Sequence, residues 1–117
     1  MPEPAGEKHQ LAGFDARERG FNRPVELLRT SSGFQASLRY EAVHLVTSDT
    51  STTADALQQL IRLLQEQGYT NLRSQQSYRD GVYLGSQEPW IEYPDRQPEP
   101  EVGLLGLIKK WLGRSPG

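Results

Sequence analysis

Apolar residues recur at helical spacing in one stretch of the chain, Thr52 to Tyr69. Leu57, Leu60, Ile61 and Leu64 fall at i, i+3, i+4 and i+7, so they share one face. Gln58, Gln59, Arg62, Gln65 and Glu66 fall mostly on the other side, and Leu63 sits at the margin. Thr52 with Asp55 has capping-box spacing, and Asp55 puts a negative charge near the positive end of the helix dipole. Gly68 is a helix stop, after which Tyr69 folds back onto the last apolar turn. A helix of about 15 residues is too short to stand alone in water, so its apolar stripe demands a covering layer.

The rest of the chain alternates with period two and supplies that layer. Val25 and Leu27 alternate with Glu26 in a short first strand, and Ser31-Ser32-Gly33 is turn chemistry. Phe34, Ala36, Leu38, Tyr40 and Ala42 share one side of a long second strand. The phase changes at Ala42-Val43, which predicts a β-bulge there or an end covered on both faces. After the helix, Asn71 to Tyr78 is a polar strand with Leu72, Ser74, Gln76 and Tyr78 on one face. Asp80-Gly81 is a two-residue hairpin turn that pairs Tyr78 with Tyr83 and Arg79 with Val82. Trp90 to Tyr93 is a candidate short edge strand.

These elements predict an α+β fold of two layers. An antiparallel sheet of four to five strands, in β-β-α-β-β order, packs on one main helix. A C-terminal amphipathic helix is added to it. The expected organisation is a disordered arm over 1–23, the α+β domain over 24–94, a Pro-rich linker over 95–102, and the amphipathic helix and tail over 103–117. The arm is assigned from its mixed charge and from the scatter of Leu11, Phe14 and Phe21.

Composition narrows the chemistry. The chain has 117 residues, 35% of them hydrophobic, with a formal net charge of −2. That charge argues against a general nucleic-acid binder. The chain has no cysteine, which removes disulfides, thiolate metal sites and thiol catalysis together. The N-terminal residues form no apolar run and no stretch is long enough to span a bilayer, so the expected location is cytoplasmic.

Catalytic signals are weak. His9 falls in the arm and His44 in the long strand, where it reads as a partly buried strand residue rather than a metal ligand. Glu88, Glu92 and Asp95 gather near the last strand and read as a solvated acidic edge. The Thr/Ser-rich loop Thr47 to Thr53 reads as capping chemistry rather than an anion site. No nucleophile elbow and no phosphate-binding glycine loop occurs. No catalytic residue, metal site or cofactor is expected.

The C-terminal stretch GLLGLIKKWLGR stands apart. Leu104, Leu105, Leu107, Ile108, Trp111 and Leu112 form a broad apolar arc, with Lys109 and Lys110 opposite or flanking. Three occupations suit it: the chain's own open sheet face, a groove on a protein partner or a second copy, or a membrane surface. On the sheet, Arg73, Tyr78 and Tyr83 are the candidate contact residues. The sequence thus predicts a small non-enzymatic binding or accessory domain that uses an open sheet face and the C-terminal helix. Its partner is expected to be a protein or a second copy. The alternatives are a peripheral membrane protein anchored by residues 103–114 and single-stranded nucleic-acid binding on the sheet.

Overall fold

The helical stripe forms as its spacing dictates. In a computed structural model that describes residues 2–96, α1 spans Thr53–Glu66 and buries Ala56, Leu57, Leu60, Ile61 and Leu64. Thr52 is extended, and its hydroxyl accepts from the Asp55 amide at 3.0 Å, which satisfies one unpaired donor of the first turn. At the other end the Tyr69 amide donates to the Leu64 carbonyl at 3.0 Å, and the Tyr69 ring is buried.

The covering layer is larger than the sequence pattern suggests. Four strands precede the helix: β1 (Glu3–Phe14), β2 (Gly20–Thr30), β3 (Gly33–Tyr40) and β4 (Val43–Val46). Three follow it among the described residues: β5 (Thr70–Arg79), β6 (Val82–Tyr83) and β7 (Ile91–Glu92). They form one antiparallel sheet in the order β4-β3-β2-β1-β5-β6, with β7 also on β5. Among the described residues the fold is α+β, with one helix on one face of the sheet. The core lies between them, built from Leu11, Val25, Leu27, Ala36, Leu38 and Leu72 on the sheet and the buried stripe of α1.

Besides the number of strands, seven among the described residues rather than four to five, two expectations change. The sequence reads as a disordered arm over 1–23, but residues 3–14 form a strand inside the sheet, paired with β2 on one side and β5 on the other. A central strand is held by hydrogen bonds along both edges, so it needs few apolar residues of its own. Leu11 alone is a large side chain that it buries completely (0% exposed). The second change lies at Ala42-Val43. The chain neither bulges nor continues there; it reverses. Glu41 takes φ +55° and Tyr40 pairs with Val43 across a two-residue loop. Antiparallel partners point to the same side. Val43 and Leu45 therefore join Tyr40 and Leu38 beneath the helix, which is the phase switch seen in the sequence.

The Asp80-Gly81 hairpin forms in the expected register, with φ of +52° and +79° at its two loop residues. The short strand near Trp90 is β7. The predicted C-terminal helix, and the linker beyond Arg96, lie outside the described residues.

Candidate functional site

One face of the sheet carries the helix. The other carries no second helix or sheet among the described residues, and the loop over 85–90 covers it only at β5, where buried Gln75 donates to the Ser86 and Glu88 carbonyls. Register sets what that face presents. Between Lys8 and His9 the β1–β5 pairing slips by one residue, leaving Ser77 as an extra residue on β5. Tyr78 is thereby rotated away from the helix side, where alternation with Leu72 had placed it, and lines up with Lys8. The pairings then run in a row across the sheet: Tyr83, Tyr78, Lys8, Glu26, Ser37, Val46.

The row has an aromatic end and a polar middle. The Tyr78 and Tyr83 rings lie 5.2 Å apart, and the Lys8 ammonium sits 5.0 Å from the centre of the Tyr78 ring. In the middle, Lys8, Pro24, Glu26, Ser37 and Arg39 line a shallow hollow of about 170 Å³. His44 is exposed rather than partly buried, with Nε2 3.2 Å from the Ser37 hydroxyl. Arg73 lies on the same face, but paired with Ala12 in a different row. Its guanidinium is 5.5 Å from the centre of the Trp90 ring. The structure thus brings Tyr78 and Tyr83 together and leaves Arg73 apart. Tyr83 (67%) and Trp90 are exposed on this face; Val82 (61%) and Ile91 (55%) are exposed too, but their partners Arg79 and Ser74 set them on the helix side. The tail residues Leu104, Leu105, Leu107, Ile108, Lys109, Lys110, Trp111 and Leu112 lie outside the described residues.

Two polar clusters escape the sequence reading. The first closes the β1–β2 turn. Asp15 is 4% exposed. Its carboxylate accepts from the Arg17 and Arg19 amides, the Arg19 guanidinium and the Tyr40 hydroxyl, each at 2.9 Å. Burial alone would raise its pKa, but these donors outweigh it and hold the group at about 2. The same hydrogen bond raises the Tyr40 pKa, with burial adding to it. A carboxylate with four donors has no free lone pair aimed at a ligand, so Asp15 pins the turn.

The second cluster lies on β1. His9 Nε2 donates to Glu7 Oε2 at 2.8 Å, and the His9 side chain is 11% exposed. That hydrogen bond is the main cause of a lowered Glu7 pKa, opposed by burial and reinforced by a hydrogen bond from Thr53. The pair satisfies two polar side chains of β1 within the strand itself. Its only sequence signal is the i, i+2 spacing of Glu7 and His9, which has meaning only once the segment is a strand.

The acidic residues near the C-terminal end of the described chain do not converge. Glu88 pairs with Arg79 at 3.2 Å, and Asp95 accepts from the Asn71 amide at 2.8 Å. Among the described residues no group of three His, Asp or Glu is placed to hold a metal ion. The Thr/Ser loop serves the backbone: the Thr47 hydroxyl accepts from the Ala36 amide and the Thr50 hydroxyl donates to the Phe34 carbonyl, both at 3.0 Å. No described helix is long and apolar enough to cross a membrane. Comparison of the chain with protein-family models, curated proteins and solved structures found no match.

Proposed function

We propose that the chain is a small non-enzymatic binding domain whose helix-free sheet face engages a protein partner, with the C-terminal amphipathic segment as a second point of attachment. The observation that carries this reading is the aromatic end of that face. Tyr83 is exposed there beside Tyr78, and Trp90 is exposed at the same end of the sheet, whereas Val82 and Ile91, partners of Arg79 and Ser74, face the helix side. Rigid aromatic side chains give large contact area at low cost in conformational entropy, which suits them as anchors in an interface. The hollow between Lys8 and Arg39 is small and open, the right character for a polar contact beside such anchors.

Base stacking on Tyr78 finds less support, because Tyr83 and Lys8 already occupy its surroundings. Packing of the C-terminal segment onto its own sheet face also finds little support. The middle of that face offers Lys8, Glu26, Ser37 and Arg39, which match an apolar arc poorly.

The test is a photo-crosslinking residue at Tyr83, compared with one at Gln58 on the outer side of α1, in the full chain inside the producing cell. The expected result is a discrete protein adduct from Tyr83, absent from Gln58 and weakened in a chain ending at Pro98. No adduct from Tyr83, together with pelleting of the full chain on anionic vesicles, overturns the reading in favour of a membrane surface.

A further inference from the structure

We infer that the free edge of β4 pairs with β4 of a second copy, joining two sheets about a twofold axis. The two ends of the sheet differ sharply. At the β5 end the strands are two residues long, Pro89 and Pro94 flank β7, and the Gln75 side chain donates to the Ser86 and Glu88 carbonyls. Such short, proline-flanked pieces are how natural edges are closed. At the other end β4 has the sequence Val43-His44-Leu45-Val46, with no lysine, no proline and no bulge against β3. Val46 is 42% exposed there, and Leu45 is only partly buried although it packs against the core.

The hydrogen-bond pattern fixes which groups are free. Thr47 donates its amide to the Ala36 carbonyl, so Thr47 points its backbone groups at β3. Alternation along an antiparallel strand then aims the amides and carbonyls of His44 and Val46 outward, and those of Val43 and Leu45 inward. Outward residues must meet outward residues across a new pairing. The register that uses all of them sets His44 opposite Val46 of the second copy, and Val46 opposite His44, with Leu45 facing its own copy on the axis. This register forms four backbone hydrogen bonds between the copies. It keeps both helices on the same side and continues the apolar row from Leu38 and Leu45 across the junction.

A second copy fits this edge better than the other occupants. A twofold interface sets like against like, and the edge Val43–Val46 carries no carboxylate, lysine or arginine to meet its own copy. The chain beyond Arg96 leaves from the β5–β7 end. Its 21 residues (97–117) are long enough to cross the roughly 24 Å to β4. A chain ending at Pro98 therefore separates the second copy from the tail, and it should dimerise as the full chain does. The pairing surface is short, well below the area of a permanent dimer, so the association is reversible.

The test is sedimentation of the full chain from micromolar to about 1 mM, with Val46→Lys as the edge-blocking variant. The expected result is a concentration-dependent dimer whose dissociation constant rises at least about tenfold in Val46→Lys. The helical circular dichroism should stay unchanged. The natural chain has no cysteine, so Leu45→Cys gives a second readout that does not depend on the lysine variant. It should oxidise to a covalent dimer, because directly opposed residues without mutual backbone bonds bring their Cβ atoms within disulfide range. Val82→Cys, at the opposite end, should not. A monomer at every concentration overturns the inference. So does a dimer that Val46→Lys leaves intact, or equal oxidation of the two cysteine variants.

Discussion

Replacing Leu11 by alanine separates a strand from an arm. Leu11 sits in β1 with no exposed surface, against Val25, Leu72 and the buried side of α1 in the same core cluster. Truncating a fully buried leucine removes its transfer free energy and leaves a cavity, a loss of about 2–5 kcal/mol. A domain of this size holds a total of roughly 5–14 kcal/mol. One substitution near the N-terminus therefore consumes a large share of the stability. With a urea m-value of about 1.5 kcal/mol/M, a loss of about 3 kcal/mol lowers the unfolding midpoint by about 2 M. The assay is urea unfolding followed by helical circular dichroism, with Arg17→Ala as the control. Arg17 is exposed and engages Asp15 through its backbone amide alone, so that control should move stability by less than about 0.5 kcal/mol. If Leu11→Ala and Arg17→Ala unfold at the same urea concentration, residues 3–14 are not part of the core and the sheet order given above is wrong.

Three further outcomes are expected. Asp15 titrates lower in the folded chain, at about 2, than its ordinary value of 3.8, so its stabilising effect is complete above pH 4 and lost as pH falls through 2. Urea midpoints measured from pH 5 to pH 2 should fall more steeply for the natural chain than for Asp15→Asn. Thr52→Ala removes the acceptor for the Asp55 amide and should cost about 1 kcal/mol in urea unfolding, with Thr52→Ser restoring most of it. Gly33→Ala would set a Cβ 2.2 Å from the Thr50 carbonyl oxygen at a residue with φ +149°. It should cost about 2 kcal/mol or more, and proteolysis should show loosening of the Thr47–Thr53 loop.

The parts of this fold that were legible in the sequence are those whose signals are local. The α1 stripe, its Thr52 cap and the Asp80-Gly81 turn each depend on residues within a few positions of one another. The β3–β4 turn was hidden because Glu41 and Ala42 are not turn formers. Only the reversal of phase marked them, and a bulge produces the same mark. β1 was hidden for a different reason. Lys8 and Gln10 face away from the helix, Glu7 and His9 satisfy each other, and Gly13 has no side chain to pack, so the hydrophobic count stays low. Its place in the sheet is decided by partners at residues 20–30 and 70–79. Of the candidate contact residues, Tyr78 and Tyr83 could be paired in advance. The face they occupy could not, because it depends on the slip at Ser77.

The placement of β1 between β2 and β5 also sets a timetable for synthesis. β1 to β4 leave the ribosome as a run of neighbouring hairpins that can pair as they appear. The second edge of β1 has no partner until β5 follows. Phe14 and Arg79 are separated by 65 residues, and translation at about 5–20 residues per second spreads them over roughly 3–13 s. Through that interval the nascent sheet presents an unpaired edge along Lys8 to Phe14, with Leu11 uncovered on the side that α1 will later close. Any factor that guards this chain against mispairing on the ribosome would act there, on a surface the finished protein no longer has.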